Sequence, residues 1–279
     1  SASLATTLWR LSHGRFALGV GRGVAIRAQM MGLPPVKNRQ LREFASLMRT
    51  LWKGERVFGH DSPLGKFPYL HQADWMNEPI PLLFTAFGQQ SLEFAGTVFD
   101  GVILHTFMSN EAVRRAVSLV RRGAEKAGRD PQSVKVWSVL AVACNASEER
   151  RLKLLTARMA TYLQAPAYGE LLFAINGWDP QGLADFRNHD AVKAIPGAID
   201  SIATTEQLRA VREAIRPKWL PAADGTPEQC AKRIVDQFDA GADGVILHAS
   251  LPDEFAPALD AYAKIRPAAR FAGRTGRPA

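Results

Sequence analysis

Two histidines close identical six-residue stretches, Asp100-Gly-Val-Ile-Leu-His105 and Asp243-Gly-Val-Ile-Leu-His248. A neutral imidazole at the end of a buried strand can donate a hydrogen bond to a substrate carbonyl or to a cofactor, so His105 and His248 are the candidate catalytic residues; a packed structural histidine is the competing reading for each. Asp100 and Asp243 precede their strands, at the opposite end, and read as turn or cap residues, not as a catalytic carboxylate pair. Gly19-Val-Gly-Arg-Gly23 offers a different chemistry. Glycines after a strand let a flat ligand approach the backbone, and Arg22 can face an anion, while a plain tight turn is the bland alternative. In Ala86-Phe-Gly-Gln-Gln90, between a strand and a helix, the amides of Phe87, Gly88 and Gln89 can meet an anion such as a phosphodiester, as at any uncapped helix start. An ordinary turn is again the alternative.

These residues require elements to hold them. Each copy of the repeated stretch follows a segment with Ala95-Gly96 or Ala240-Gly241-Ala242 and precedes a residue able to start another helix. Consecutive apolar positions such as Val-Ile-Leu suit a parallel strand covered on both faces. The same grammar predicts strands at 15–21, 81–87, 101–107, 135–144 and 244–249. Helices are expected at 4–11, 40–53, 89–96, 110–127, 148–162 and 206–215, with a hairpin or irregular loop at 56–78 and a helical insertion at about 146–220. Strands alternating with helices mean a parallel α/β architecture. A closed barrel of this class needs eight strands, so three are missing from the count, and the expectation is that an N-terminal piece lies outside this sequence. Trp75, Trp137 and Trp178 read as packing residues; Trp137, inside a strand, is the least expected to meet substrate.

The chain has 279 residues, 47% hydrophobic and 22% charged, which is enough to bury a large core and excludes global disorder. Its apolar runs stop far short of the roughly 20 residues that cross a bilayer. Cys144 and Cys230 are too few for a disulfide framework or a zinc ligand set and favour a reducing, cytoplasmic setting. The formal net charge of +8 has two concentrations. Arg266, Arg270, Arg274 and Arg277 lie in a tail, 266–279, expected to be frayed. Arg22, Arg27, Lys37 and Arg39 flank the glycine turn, where an anionic ligand is the better explanation. No nucleic-acid motif accompanies the charge, so neither nucleic acid nor membrane is an expected partner.

The run Leu11-Ser-His-Gly-Arg-Phe-Ala-Leu-Gly-Val-Gly-Arg-Gly23, followed by Arg42-Glu-Phe and Leu51-Trp-Lys-Gly-Glu55, resembles the luciferase-like monooxygenase superfamily. Thr85-Ala-Phe-Gly88, Leu92 to Gly96, Asp100-Gly101 and Gly225-Thr-Pro-Glu-Gln-Cys230 continue that pattern through residues 4 to 262. Within it the likeness is strongest to the actinobacterial oxidoreductases that use the deazaflavin coenzyme F420. The resemblance implies a TIM-type (β/α)8 barrel domain over 1–265, lacking here its first three β/α units. It also implies a cytoplasmic, homodimeric oxidoreductase passing a hydride between F420 and an organic substrate. The implied cofactor site is Gly19, Gly21, Arg22, Gly23, Ala86, Phe87, Gly88 and Gln89, with no metal. At Arg22 and Val24 many relatives carry a small hydroxyl residue and a Glu, which puts proton donation by a carboxylate there in question. The acidic and aromatic residues that family members place against the ring after their second strand have no counterpart in this sequence. An FMN-dependent monooxygenase and a non-catalytic barrel remnant are the alternatives.

Overall fold

A computed structural model of the chain describes residues 1–23, 28 and 30–271. Its main sheet is parallel throughout and consists of β1 (Leu18–Val20), β4 (Leu82–Thr85), β5 (Gly101–Ile103), β6 (Lys135–Cys144), β7 (Ala223–Gly225) and β8 (Gly244–His248). β2 (Val57–Ser62) and β3 (Gly65–Leu70) pair antiparallel as a separate hairpin within the expected 56–78 interruption. Neighbours run β1-β4-β5-β6, after which β6 pairs with β8 through Trp137 to Ala141 and with β7 through Val142 to Cys144. The five expected strands are therefore parallel neighbours, most of them shorter than expected. The short β7 was not foreseen, because three residues give no periodicity to read. Among the described residues β1 pairs only with β4 and β8 only with β6, so the sheet does not close on itself.

The helices that return the chain are α1 (Ala2–Leu11), α2 (Asn38–Trp52), α3 (Gln89–Val98), α4 (Asn110–Lys126), the helices of the insertion described below, α12 (Pro227–Asp239) and α13 (Pro252–Ile265). In α2 the residues Leu41, Ala45, Met48 and Trp52 recur at helical spacing and are all buried. Gly54, at φ +75°, ends it where a side chain would press on the carbonyls of Ala73 and Met76. Ser109 caps α4 by accepting from the Ala112 amide at 3.2 Å. The repeated aspartates behave as structural residues. Asp100 accepts from the Leu82 amide at 2.8 Å and Asp243 from the Val136 amide at 3.0 Å, each satisfying an N–H at the start of the neighbouring strand. Asp100 also takes both bonds of the Arg49 guanidinium.

One face of the sheet is buried, with Leu82, Phe84, Val102 and Val136 under α3 and α4 and Leu140 against α12 and α13. The other carries Gly19, Leu83, Thr85, Ile103, Trp137, Val139, Ile246 and His248, which are half-buried or exposed. The expectation of cover on both faces is thus corrected: a Val-Ile-Leu run reports how apolar a strand is, not which neighbours lie on each side. Trp137 is corrected with it, being 38% exposed on the open face, where its ring covers the Gly244 backbone. Of the expected tail, Ala268–Phe271 forms a 3-10 turn with Phe271 against the Phe238 ring and Arg270 paired with Asp239. Arg27, Val24, Arg274 and Arg277 lie outside the described residues. Among the described residues no helix is long and apolar enough to cross a membrane.

The insertion begins as one continuous helix over 148–164, made of α5 (Glu148–Arg151), a π-helical turn at Leu152–Ala157 and α6 (Arg158–Gln164). It continues through α7 (Tyr168–Asn176), α8 (Pro180–Asn188), α9 (Asp190–Lys193), α10 (Ile199–Ile202) and α11 (Thr205–Glu213). Trp178 packs here against Phe173 and Trp219, as expected of a packing residue.

α3 and α4 approach so closely that a side chain on Gly96 would collide with the Val120 carbonyl, and one on Gly123 with the Glu93 carbonyl. Backbone cannot yield as a side-chain tip can, so Gly96→Ala and Gly123→Ala are each expected to cost about 1–3 kcal/mol. Gly197→Ala, which meets only the end of Ile202 at 3.0 Å, is expected to cost less. Chemical denaturation of the three variants checks the order.

Candidate active site

In a parallel sheet every strand delivers its following loop to the same edge. Here that edge gathers Gly21 and Arg22 after β1, Phe87 and Gly88 after β4, His105 after β5 and His248 at the end of β8. Gly19 faces open space on the uncovered side of the sheet, with nothing within 4 Å of where its side chain would be. A side chain on Gly21 would collide with the Thr85 hydroxyl, and Gly23 has φ +70°, which favours glycine. The strand end is thus bare and flat.

Arg22 reaches from this strand end to the starts of two helices. Its guanidinium donates to the Ser91 hydroxyl at 3.2 Å in the first turn of α3, and to the Asn38 side chain at the first residue of α2. Its buried Nε has no partner, and burial lowers its pKa. Helix starts carry partial positive charge, so a cation between two of them stands against both dipoles. The start of α3 has Gly88 as its N-cap and no capping side chain. An uncapped helix start, an orphaned Nε and a bare strand end fit a flat ligand with a phosphate. The Ala86 amide bonds to the Ile103 carbonyl at 3.1 Å, so Ala86 can offer a cofactor contact but no backbone donor. Gly88 has an ordinary extended conformation, and a methyl there would make normal contact with Leu171 at 3.5 Å. Only a larger side chain would crowd the helix start.

The two histidines differ in spite of their identical strands. His105 lies 2.6 Å from the Thr106 carbonyl through Nδ1 and 2.6 Å from the Tyr168 hydroxyl through Nε2. A carbonyl only accepts, so Nδ1 carries the proton and Nε2 accepts from Tyr168. The expectation that His105 donates to substrate or cofactor is therefore corrected: its single N–H is already engaged. Burial drives its pKa down to about 4, with the Thr106 bond opposing and His248 assisting. His248 is half-buried, its Nδ1 is without a partner, and burial followed by the charge of Arg158 lowers its pKa. It keeps the free ring nitrogen that His105 lacks.

Around them stand residues that sequence patterning did not single out. Phe87, Tyr162 and Tyr168 pack on the His105 ring with centroids 4.6, 4.8 and 5.2 Å away. Arg158 pairs with Asp200 at 2.7 Å and lies over the Tyr162 ring. The one sequence signal for this group is Arg158 and Tyr162 four apart, on one helical face. Phe107, Asn145 and Ala249, just past β5, β6 and β8, all hold left-handed backbone, a strained conformation for residues other than glycine. A cavity of about 510 Å³ at the other end of the strands is lined by Arg42, Arg49, Lys53, Asp100 and Arg129. Arg49 and Arg129 are already engaged there by Asp100 and by the carbonyls of Gly96 and Phe99, which accounts for the cluster structurally. Cys144 and Cys230, distant in sequence, meet in the small core near β7, where burial and the neighbouring thiol push Cys230 up to about 12.

The luciferase-like monooxygenase family pattern matches residues 1–244. The chain belongs to this family. It is 27% identical over 254 residues to the F420-dependent glucose-6-phosphate dehydrogenase of Segniliparus rotundus, covering 89% of this chain and 67% of that protein. It is 26% identical over 250 residues to the 5,10-methylenetetrahydromethanopterin reductase of Methanolobus tindarius, covering 88% and 71%. The coenzyme F420 dependent tetrahydromethanopterin reductase from Methanopyrus kandleri superposes with a TM-score of 0.69 at 18% identity, over 92% of this chain and 75% of that one. The fold is that of the family's α/β barrel, of which the described residues supply the open parallel sheet above.

The buried neutral His105 yields a pH prediction. Its folded pKa, about 4, lies below its ordinary value of 6.5, so the unfolded chain takes up a proton first as pH falls. The stability it contributes is complete above pH 6.5 and is lost between there and about 4, on the order of 3 kcal/mol in all. His105→Gln can accept from Tyr168 but does not titrate, and should flatten that window in denaturation curves taken from pH 7 to pH 4.

Proposed function

We propose that this protein is an oxidoreductase that binds coenzyme F420 along the open ends of β1 and β4 and moves a hydride between it and an organic substrate. The observation that carries the reading is Arg22 held between the starts of α2 and α3. An anion placed there answers the guanidinium and both helix dipoles at once. The family and the F420-dependent relatives support the same cofactor. When bound, F420 supplies the hydride-transfer chemistry.

The chain's own residues bind, orient and handle protons. Gly19 and Gly21 leave the inner side of β1 free of side chains, so a planar ring can lie against backbone. Arg22 and the amides at Phe87 to Gln89 hold the phosphate. His248 offers its unpaired Nδ1 to the oxygen of the substrate, accepting a proton from an alcohol or donating to a carbonyl according to its tautomer, and its lowered pKa keeps it neutral near pH 7. His105 fixes Tyr168, whose ring with those of Phe87 and Tyr162 keeps water from the strand ends. Two free buried cysteines support a cytoplasmic setting.

Fluorescence titration with F420, and with FMN at the same salt concentration, tests this. Arg22→Ala is expected to weaken F420 roughly tenfold to a hundredfold, the loss of one charged hydrogen-bond partner. Gly19→Val should also weaken it, by filling the bare strand surface. Equal affinities in wild type and both variants overturn the site, and tighter binding of FMN moves the reading to a flavin monooxygenase.

A further inference from the structure

The π-helical turn at Leu152–Ala157 interrupts an otherwise regular helix over 148–164 and ends where Arg158 begins. A π turn holds about one residue more than an α turn, so it swings everything after it by roughly 100° around the helix axis. Such turns have poorer backbone geometry and recur at functional sites. Here the swing affects Arg158 and Tyr162, four residues apart and so on one face. That face meets the strand ends: Tyr162 packs on His105, and the charge of Arg158 is felt by His248, Tyr162 and Tyr168. Met159, Ala160 and Leu163, on the other sides of the same helix, are buried in the core.

The ion pair of Arg158 is asymmetric. Asp200, at the start of α10, is 15% exposed, whereas the guanidinium is 44% exposed. The Asp200 backbone N–H is anchored to the Thr161 hydroxyl at 2.8 Å, so the carboxylate is a fixed support. The Arg158 guanidinium also lies over the Tyr162 ring, 6.0 Å from its centroid, so the two side chains stand together on this face. The outcome is a cation held from one side by Asp200, with its remaining N–H groups beside the Tyr162 ring that packs on His105.

We propose that Arg158 and the Tyr162 hydroxyl, aimed by the π turn, form an oxyanion subsite that receives a phosphate or carboxylate group of the substrate. The inference rests on the reading of these strand ends as a redox site. It adds that the site has two cationic poles, Arg22 for the cofactor and Arg158 for the substrate, with His248 beside the latter.

The test uses the full chain with inorganic phosphate and, in a parallel arm, acetate, followed by line broadening of the phosphorus and methyl signals. Both are run in the Arg22→Ala background so that an anion at the helix starts is not counted. Arg158→Ala is expected to weaken the tighter of the two anions at least tenfold, and Arg158→Lys by less, since it keeps the charge but loses the fork. Asp200→Asn is expected to tighten binding severalfold by removing a competing carboxylate, a change of sign that a damaged fold would not produce. Anion affinities unchanged in Arg158→Ala and Asp200→Asn overturn the subsite and leave the cofactor reading standing. Failure of Arg22→Ala to weaken F420 strikes that reading instead.

Discussion

A parallel strand can be followed by another only after the chain has been carried back across the sheet, and the rest of this structure follows from that constraint. Each return is a helix, so each strand end at one edge faces a helix start, and residues far apart in sequence are delivered to a single line. Arg22, Phe87, His105 and His248 come from four different strands, yet all stand at this edge. The edge is where uncapped amides and positive dipole ends accumulate. Chemistry on an anionic cofactor is favoured there before any side chain is specified.

The constraint has a cost at the other edge. Strand starts present amides with no partner, and the two repeated aspartates meet them, Asp100 at Leu82 and Asp243 at Val136. The helices must also lie close to the sheet and to one another. Between α3 and α4 this is achieved with Gly96 and Gly123, where backbone meets backbone. The ends that hold the fold and the ends that carry the chemistry are therefore separated along every strand, and the arginine cluster around Asp100 belongs to the former.

At the functional edge the charges are left incompletely answered. Arg22 opposes two helix dipoles and keeps a buried Nε without a partner, and His248 keeps an unpaired nitrogen. Strained backbone at Phe107, Asn145 and Ala249 lies in the same region. His105 is the exception, fully engaged by Thr106 and Tyr168, and it ties the helical insertion to the sheet. Identical local sequences have thus produced one supporting histidine and one available histidine.

The sequence by itself determined the alternation of strands and helices, the parallel order of the five strands, the structural role of Asp100 and Asp243, and the glycine-bare end of β1. These are local matters: apolar periodicity, turn chemistry and repeated segments are written in consecutive residues. Only the tertiary structure decided which face of the sheet is covered, because a strand's sequence does not name its neighbours; Trp137 lies in the open for that reason. It also decided that Ala86 has no free amide and that His105 has no free proton, since both depend on a carbonyl whose position backbone geometry sets, Ile103 for the first and Thr106 for the second. Tyr162, Tyr168 and Arg158 belong to the helical insertion that the sequence does show, but the π turn that aims Arg158 and Tyr162, and the docking of the insertion on the strand ends, leave no periodic signal.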